Sequence, residues 1–230
     1  MKIATAFFAR KSKYSKLLKV FRNSAKETMP ETKLKIIKMK KPENIDHKRD
    51  TAYSFLAAAE YALNHNSGLL AIADCDLMFL KSIESIKHEK FDIAITVRNK
   101  MKFNTGLWFM RPTARAKDFI KYWIEKTKIL MNDFCRYEEF CWTHGGIDQA
   151  SLFLTIEKFK KINIFELPCQ EWNATQSEWR NVNEDTRVIH IKSQLRGFCC
   201  DPDKMIEMDE KWNYLLPLIK KWRDYLNATA

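Results

Sequence analysis

With 230 residues, 46% of them hydrophobic and 30% charged, and with only 5 Gly and 6 Pro, the chain has ample apolar surface for a core. That composition excludes collagen-like, low-complexity and largely disordered classes. The formal net charge of +11 is concentrated at one end: residues 1–50 hold 15 basic and 5 acidic side chains, and the remainder is nearly balanced.

The length suits one large domain or two small ones, and no linker or repeat divides it, so residues 1–230 are expected to form a single domain. Lys2 to Phe8 predicts a buried first strand rather than a secretion signal, because charges follow its short apolar run at once. Tyr14, Leu17, Leu18, Phe21 and Ala25 recur at helical spacing, and Leu34 to Met39 alternates as a strand. Thr51 to Leu63 predicts a helix with Asp50 as its N-cap. Leu69 to Ala73, after an Asn66-Ser67-Gly68 turn, predicts a central strand. Further strands are expected at Phe91–Val97, Gly106–Met110, Ile162–Leu167 and Arg187–Ile191. Helices are expected at Ala114–Leu130 and Asp148–Phe159, with a largely helical segment from Asp203 to Leu226. No apolar run approaches the roughly 20 residues of a membrane span. Strands alternating with helices imply an α/β protein with a mainly parallel central sheet flanked by helices, where ligands meet the carboxyl ends of strands.

Four segments carry chemistry. In Ala73-Asp74-Cys75-Asp76 a buried strand runs into two carboxylates; at i and i+2 of extended chain both can face one cation. Oxygen donors of that kind suit Mg²⁺ or Mn²⁺ bridging to phosphate; the bland reading is a strand-end turn with solvated acids. Asn104-Thr105-Gly106 offers short hydrogen-bonding groups as a loop leading into an apolar strand, or merely an ordinary loop. His144-Gly145-Gly146-Ile147-Asp148-Gln149 places Asp148 near a helix start, where it could simply cap. Val188-Ile189-His190-Ile191-Lys192, followed by Arg196-Gly197, delivers an imidazole and two cations.

The cysteines (Cys75, Cys135, Cys141, Cys169, Cys199 and Cys200) read as reduced thiols of a cytosol-like compartment. Cys135, Cys141 and His144 match no common zinc spacing and are taken as packing residues.

In order and content, Leu70–Asp76, Phe103–Thr113, Ile147–Ser151 and Val188–Gly197 resemble the metal-dependent GT-A glycosyltransferases that carry an Asp-x-Asp motif and use nucleoside diphosphate sugars. The likeness spans about residues 1–200. It implies a hexosyl- or pentosyltransferase that moves a sugar from a UDP- or GDP-sugar to the hydroxyl of a glycan or other acceptor, with retention favoured over inversion. It implies Mn²⁺ or Mg²⁺ on Asp74, Asp76 and His190, with Asp76 the main ligand and Asp74 also touching ribose. It assigns Thr5, Ala6 and Phe7 to the nucleotide, Arg49 to diphosphate or ribose, and Asn104, Thr105 and Gly106 to the donor sugar. Asp148 and Gln149 fall beside sugar and acceptor, and Lys192 or Arg196 at the leaving diphosphate. The family often carries Gly and Lys-Pro-Trp soon after its His, whereas Ile191-Lys192-Ser193-Gln194-Leu195-Arg196-Gly197 stands here. A short chain with no anchor segment fits a cytoplasmic bacterial, phage or viral enzyme, its basic end able to touch an anionic membrane.

Two rivals compete. A haloacid dehalogenase-type phosphatase also uses Asp-x-Asp, but nearer its N-terminus and with Thr or Val two residues on, where Met78 stands here. A nucleic-acid-binding module would explain the basic end, although those residues form no recognition motif. Trp142 and Trp172 have the best claim to stack on an acceptor sugar, and packing is the alternative.

Overall fold

The computed structural model describes residues 1–8, 13–40, 49–99, 102–201, 203–204 and 208–228. They fall into two compact units, one of residues 1–9, 33–74 and 86–167, the other of residues 10–32, 75–85 and 168–230.

The first unit is built on a six-stranded sheet of β1 (Lys2–Phe8), β2 (Lys33–Met39), β3 (Leu70–Ala73), β5 (Ile93–Val97), β6 (Phe103–Met110) and β7 (Ile164–Pro168). Their order is β2-β1-β3-β6-β5-β7. β1 pairs in parallel with β2 and β3, and β6 runs antiparallel to both β3 and β5. So β1, β2, β3 and β5 share one direction, as the alternating pattern predicts, and β6 is reversed. β3 is apolar and buried at every residue, as a central strand must be. β2 lies at the sheet's margin with Lys33, Lys35 and Lys38 exposed, charges that discourage edge-to-edge pairing.

Four helices complete this unit: α2 (Asp50–Leu63), α3 (Ala114–Asn132), α4 (Phe134–Thr143) and α5 (Ile147–Lys158). α2 buries Ala52, Ala58, Ala59 and Ala62, small side chains that let a helix lie close on its neighbours. Arg49, not Asp50, takes the N-cap position, and Asp50 is the first helical residue. α4 was not expected from the sequence. α5 starts at Ile147, with Gly146 as N-cap, so Asp148 is not the cap either. α3 begins on Thr113, whose Oγ1 accepts from Ala116 N–H at 3.1 Å and donates to Asp92 Oδ1 at 2.7 Å. Thr113→Ala is expected to cost about 1 kcal/mol or somewhat more, read by urea denaturation, since it removes an N-cap together with a bond to a buried carboxylate.

The second unit is mostly helical: α1 (Lys13–Thr28), α6 (Cys169–Trp172), α7 (Ser193–Cys200) and α8 (Leu216–Asn227) surround a two-stranded antiparallel ribbon of β4 (Leu77–Phe79) and β8 (Val188–His190). Its core joins Leu17, Val20, Met78, Trp179, Ile189, Leu195, Ile219 and Trp222. The expected helix over Asp203–Leu226 proves composite: a tight 3-10 segment at Glu210–Leu215 precedes α8, and Pro217 opens α8 instead of interrupting it. Part of that expected helix, residues 205–207, lies outside the described residues.

Candidate active site

In the second unit the β4–β8 ribbon sets the register that matters. Leu77 pairs with His190, and Ile191 N–H donates to the Asp76 carbonyl at 2.8 Å, so two residues over 100 positions apart in sequence meet. His190 Nε2 lies 3.2 Å from Asp76 Oδ1, and both side chains are buried. On the ring's other side Nδ1 is 3.1 Å from Asn173 Oδ1, which can only accept and so favours the tautomer with its proton on Nδ1. Nε2 then presents a lone pair to a carboxylate oxygen. Two acceptors face to face call for a cation or a proton between them.

Burial, reinforced by the nearby Lys192 charge, pushes His190 below the ordinary imidazole range despite the pull of Asp76. Burial alone would raise Asp76, but the imidazole and the Arg196 and Lys192 cations outweigh it and hold the carboxyl well below the usual range. Asp74, the last residue of the first unit, is joined to Asp76 through Cys75 alone. One ligand atom from each of Asp74, Asp76 and His190 lies within 4.8 Å of the others. Two carboxylates and an oriented imidazole fit a divalent ion such as Mn²⁺ or Mg²⁺. Among the described residues this is the one such cluster, and Cys135, Cys141 and His144 form none. Burial pushes the Cys141 thiol up to about 11, as suits a packing residue.

Asn173 is the residue whose role the sequence left hidden, because only tertiary structure brings it to the ring. Asn173→Ala is expected to weaken binding of Mn²⁺ roughly 10- to 100-fold, the usual effect of removing the partner that orients a ligating imidazole. Calorimetric titration with Mn²⁺ alone checks this; an unchanged affinity would show that the ring needs no such support.

Lys192 takes the N-cap position of α7, and the next residue, Ser193, has φ 49°, the one non-glycine residue in the left-handed region among those described. That tight turn starts α7, which the sequence did not announce, and α7 carries Arg196. The Arg196 Nη2 donates to Asp76 Oδ2, and its Nε donates to the Ile191 carbonyl at 3.1 Å.

A second group of predicted residues meets within the first unit. Asn104, Thr105 and Gly106 are not a loop before a strand; they belong to β6 itself. The β5–β6 register jumps between Ile95, opposite Trp108, and Thr96, opposite Asn104, a bulge that turns this segment out of the ladder. Thr96 Oγ1 donates to the Asn104 and Leu107 carbonyls, and Asn104 Oδ1 accepts from Gly106 N–H at 3.0 Å. Thr105 Oγ1 donates to Asp148 Oδ2, and both residues are buried. Gln149 accepts from Arg98 Nη2 at 2.9 Å and donates to the Gly145 carbonyl at 2.7 Å. Gly145, at φ 90°, would be strained by any side chain, and an added Cβ would stand 3.0 Å from Gln149 Nε2 and 3.1 Å from Arg98 Nη2. Arg98 had no sequence signal beyond being basic.

Of the remaining predicted residues, Thr5, Ala6 and Phe7 follow Ala4, which pairs with Ile72 of β3. All three are buried in β1, and the Thr5 hydroxyl has no hydrogen-bond partner among the described residues. Arg49 lies over the Phe134 ring at 5.9 Å. Trp172 is buried beneath the Arg187 guanidinium, which corrects its reading as an acceptor platform, whereas Trp142 is 48% exposed.

No protein-family model and no curated protein matches the sequence. Solved structures do. A glycosyltransferase involved in glycosylation of the major capsid of PBCV-1 superimposes with a TM-score of 0.61 at 13% identity, over 90% of this chain and 98% of that one. The galactosyltransferase LgtC, in complex with donor and acceptor sugar analogues, gives 0.60 at 11% identity over 100% and 98%. The glycosyltransferase GlyE of Streptococcus pneumoniae TIGR4 gives 0.64 at 13% identity, over 99% of this chain and 61% of that one. The chain has the GT-A fold. Within that GT-A fold the acid pair stands at the end of β3, where the motif order predicts it.

Proposed function

We propose that this protein is a metal-dependent glycosyltransferase that moves a hexosyl or pentosyl group from a UDP- or GDP-sugar to an acceptor hydroxyl, with retention of configuration. The observation that carries the reading is the buried Asp76–His190 pair, with Asn173 on the far side of the imidazole. The fold shared with glycosyltransferases supports it.

The chemical difficulty of such a transfer is the negative charge that grows on the departing diphosphate. A divalent ion on Asp74, Asp76 and His190 supplies Lewis acidity there. Lys192 and Arg196 add fixed positive charge for the same oxygens. Thr5, Ala6, Phe7 and Arg49 are assigned to the nucleotide, and Asn104, Thr105 and Gly106 to the sugar, as the family resemblance implies. Retention is supported by the state of Asp148. An inverting enzyme needs a base free to take the acceptor proton, and the Asp148 carboxylate is buried and already bonded to the Thr105 hydroxyl. Asp148 and Gln149 are therefore assigned to holding the sugar, while the departing phosphate takes the proton. The reading uses residues 1–230 as one transferase domain and places it in the cytoplasm. No helix among the described residues is long and apolar enough to cross a membrane.

A panel of nucleotide sugars, each with Mn²⁺ and with Mn²⁺ plus excess chelator, tests the proposal by thermal shift and donor hydrolysis. One donor should stabilise the protein and be consumed in Mn²⁺ only. Binding and turnover of none, or turnover indifferent to chelation, would sink it; the anomer of the product, read by NMR, decides retention.

A further inference from the structure

Both oxygens of the Asp76 carboxylate are engaged by this chain's own groups. Oδ1 faces His190 Nε2 at 3.2 Å, and Oδ2 accepts from Arg196 Nη2. Arg196 is not a loosely placed surface cation. Its Nε is tied to the Ile191 carbonyl at 3.1 Å, one residue beyond His190, and its side chain is only 25% exposed. The turn at Ser193 starts the short helix that presents it.

We propose that Arg196 is a tethered cation that competes with the divalent ion for Asp76 and so makes metal loading depend on the anionic donor. The inference rests on the metal centre proposed above. The guanidinium bond holds the Asp76 carboxylate in place beside His190. A divalent ion entering there must take over an oxygen that already accepts a charged hydrogen bond, and it must approach a full positive charge in a poorly solvated place. Both effects weaken binding of the bare ion. A nucleoside diphosphate reverses both: its oxygens offer the guanidinium a new partner and screen the ion from it. Ion and diphosphate therefore bind with positive coupling, each raising the affinity for the other by the same factor. Lys192 lacks this role, since its charge acts on Asp76 without a hydrogen bond to it among those resolved.

The test is titration of the whole chain with Mn²⁺ alone, by calorimetry or by the loss of the free-ion electron paramagnetic resonance signal, before and after adding UDP or GDP. Arg196→Ala should bind Mn²⁺ alone about 10-fold more tightly or better, within the range by which groups around a metal site move its affinity. The nucleotide should enhance Mn²⁺ binding in the wild type and far less in the variant. Arg196→Gln keeps an N–H for Asp76 without the charge and should behave alike, which covers a failure of Arg196→Ala to fold; Arg196→Lys should stay near the wild type. Mn²⁺ affinity unchanged or weakened in folded Arg196→Ala or Arg196→Gln, or no Mn²⁺ binding by any of these proteins, would overturn the proposal. The outcome is separable from the transferase reading. Tighter Mn²⁺ binding in the variants with no sugar transferred from any donor leaves the competition standing and removes the activity, and metal-dependent transfer with unaltered affinity does the reverse.

Discussion

Asp76→Ala is expected to slow sugar transfer roughly 100- to 10,000-fold, the range found when one electrostatic stabiliser of a developing negative charge is removed. Asp76 supplies a carboxylate oxygen beside the imidazole, and His190 alone would hold a divalent ion poorly. The same substitution strands the Arg196 guanidinium without its carboxylate. Asp76→Asn, which keeps the volume and a hydrogen-bond acceptor, should therefore lose activity while staying closer to wild-type stability. Steady-state rates at saturating Mn²⁺, with circular dichroism to establish folding, check both. Turnover near the wild-type rate in a folded variant would remove Asp76 from the centre of the chemistry.

The largest expected stability effect lies in the first unit. Trp123 is fully buried, packed on Phe55 at 4.3 Å, Trp108 at 5.1 Å and Phe119 at 6.1 Å between ring centroids. Its Nε1 donates to the Asp148 carbonyl at 3.0 Å and to Ser151 Oγ at 3.1 Å, so one side chain ties α3 to the first turn of α5. Trp123→Ala should cost about 3–5 kcal/mol by the lost burial and the cavity left behind, a large part of the stability of an ordinary domain. Chemical denaturation measures it. Trp123→Phe retains most of the burial and removes the indole donor, at roughly 1 kcal/mol, since Ser151 Oγ still donates to the Asp148 carbonyl at 2.9 Å. A loss below about 1 kcal/mol for Trp123→Ala would mean that the cluster collapses into the space, against the rigid packing of such interiors.

Much of the fold was legible because its elements repeat a simple rule. The apolar run Leu70–Ala73 could only be a central strand, and the spacing in Thr51–Leu63 and Ala114–Leu130 could only be helical. Elements that owe their existence to distant partners were missed. β4 has three residues and exists because β8 pairs with it from over 100 positions away. α7 begins on a strained Ser193 and contains Gly197, features that read locally as a loop. Asn104 and Thr105 were read as loop because a strand interrupted by a bulge loses the alternation by which strands are recognised.

By itself the sequence determined most of the longer strands and helices, the acid pair at a strand end, and the types of residue able to hold a divalent ion. Covalent succession suffices for these, since Asp74 and Asp76 are neighbours whatever the rest of the chain does. Only tertiary structure decided which imidazole face meets Asp76, that Asn173 lies on the ring's other side, and that Arg196 rests on the second carboxylate oxygen. Those three depend on a pairing register and a turn set by contacts between remote segments, and no local pattern of residues encodes a hydrogen bond across such a span.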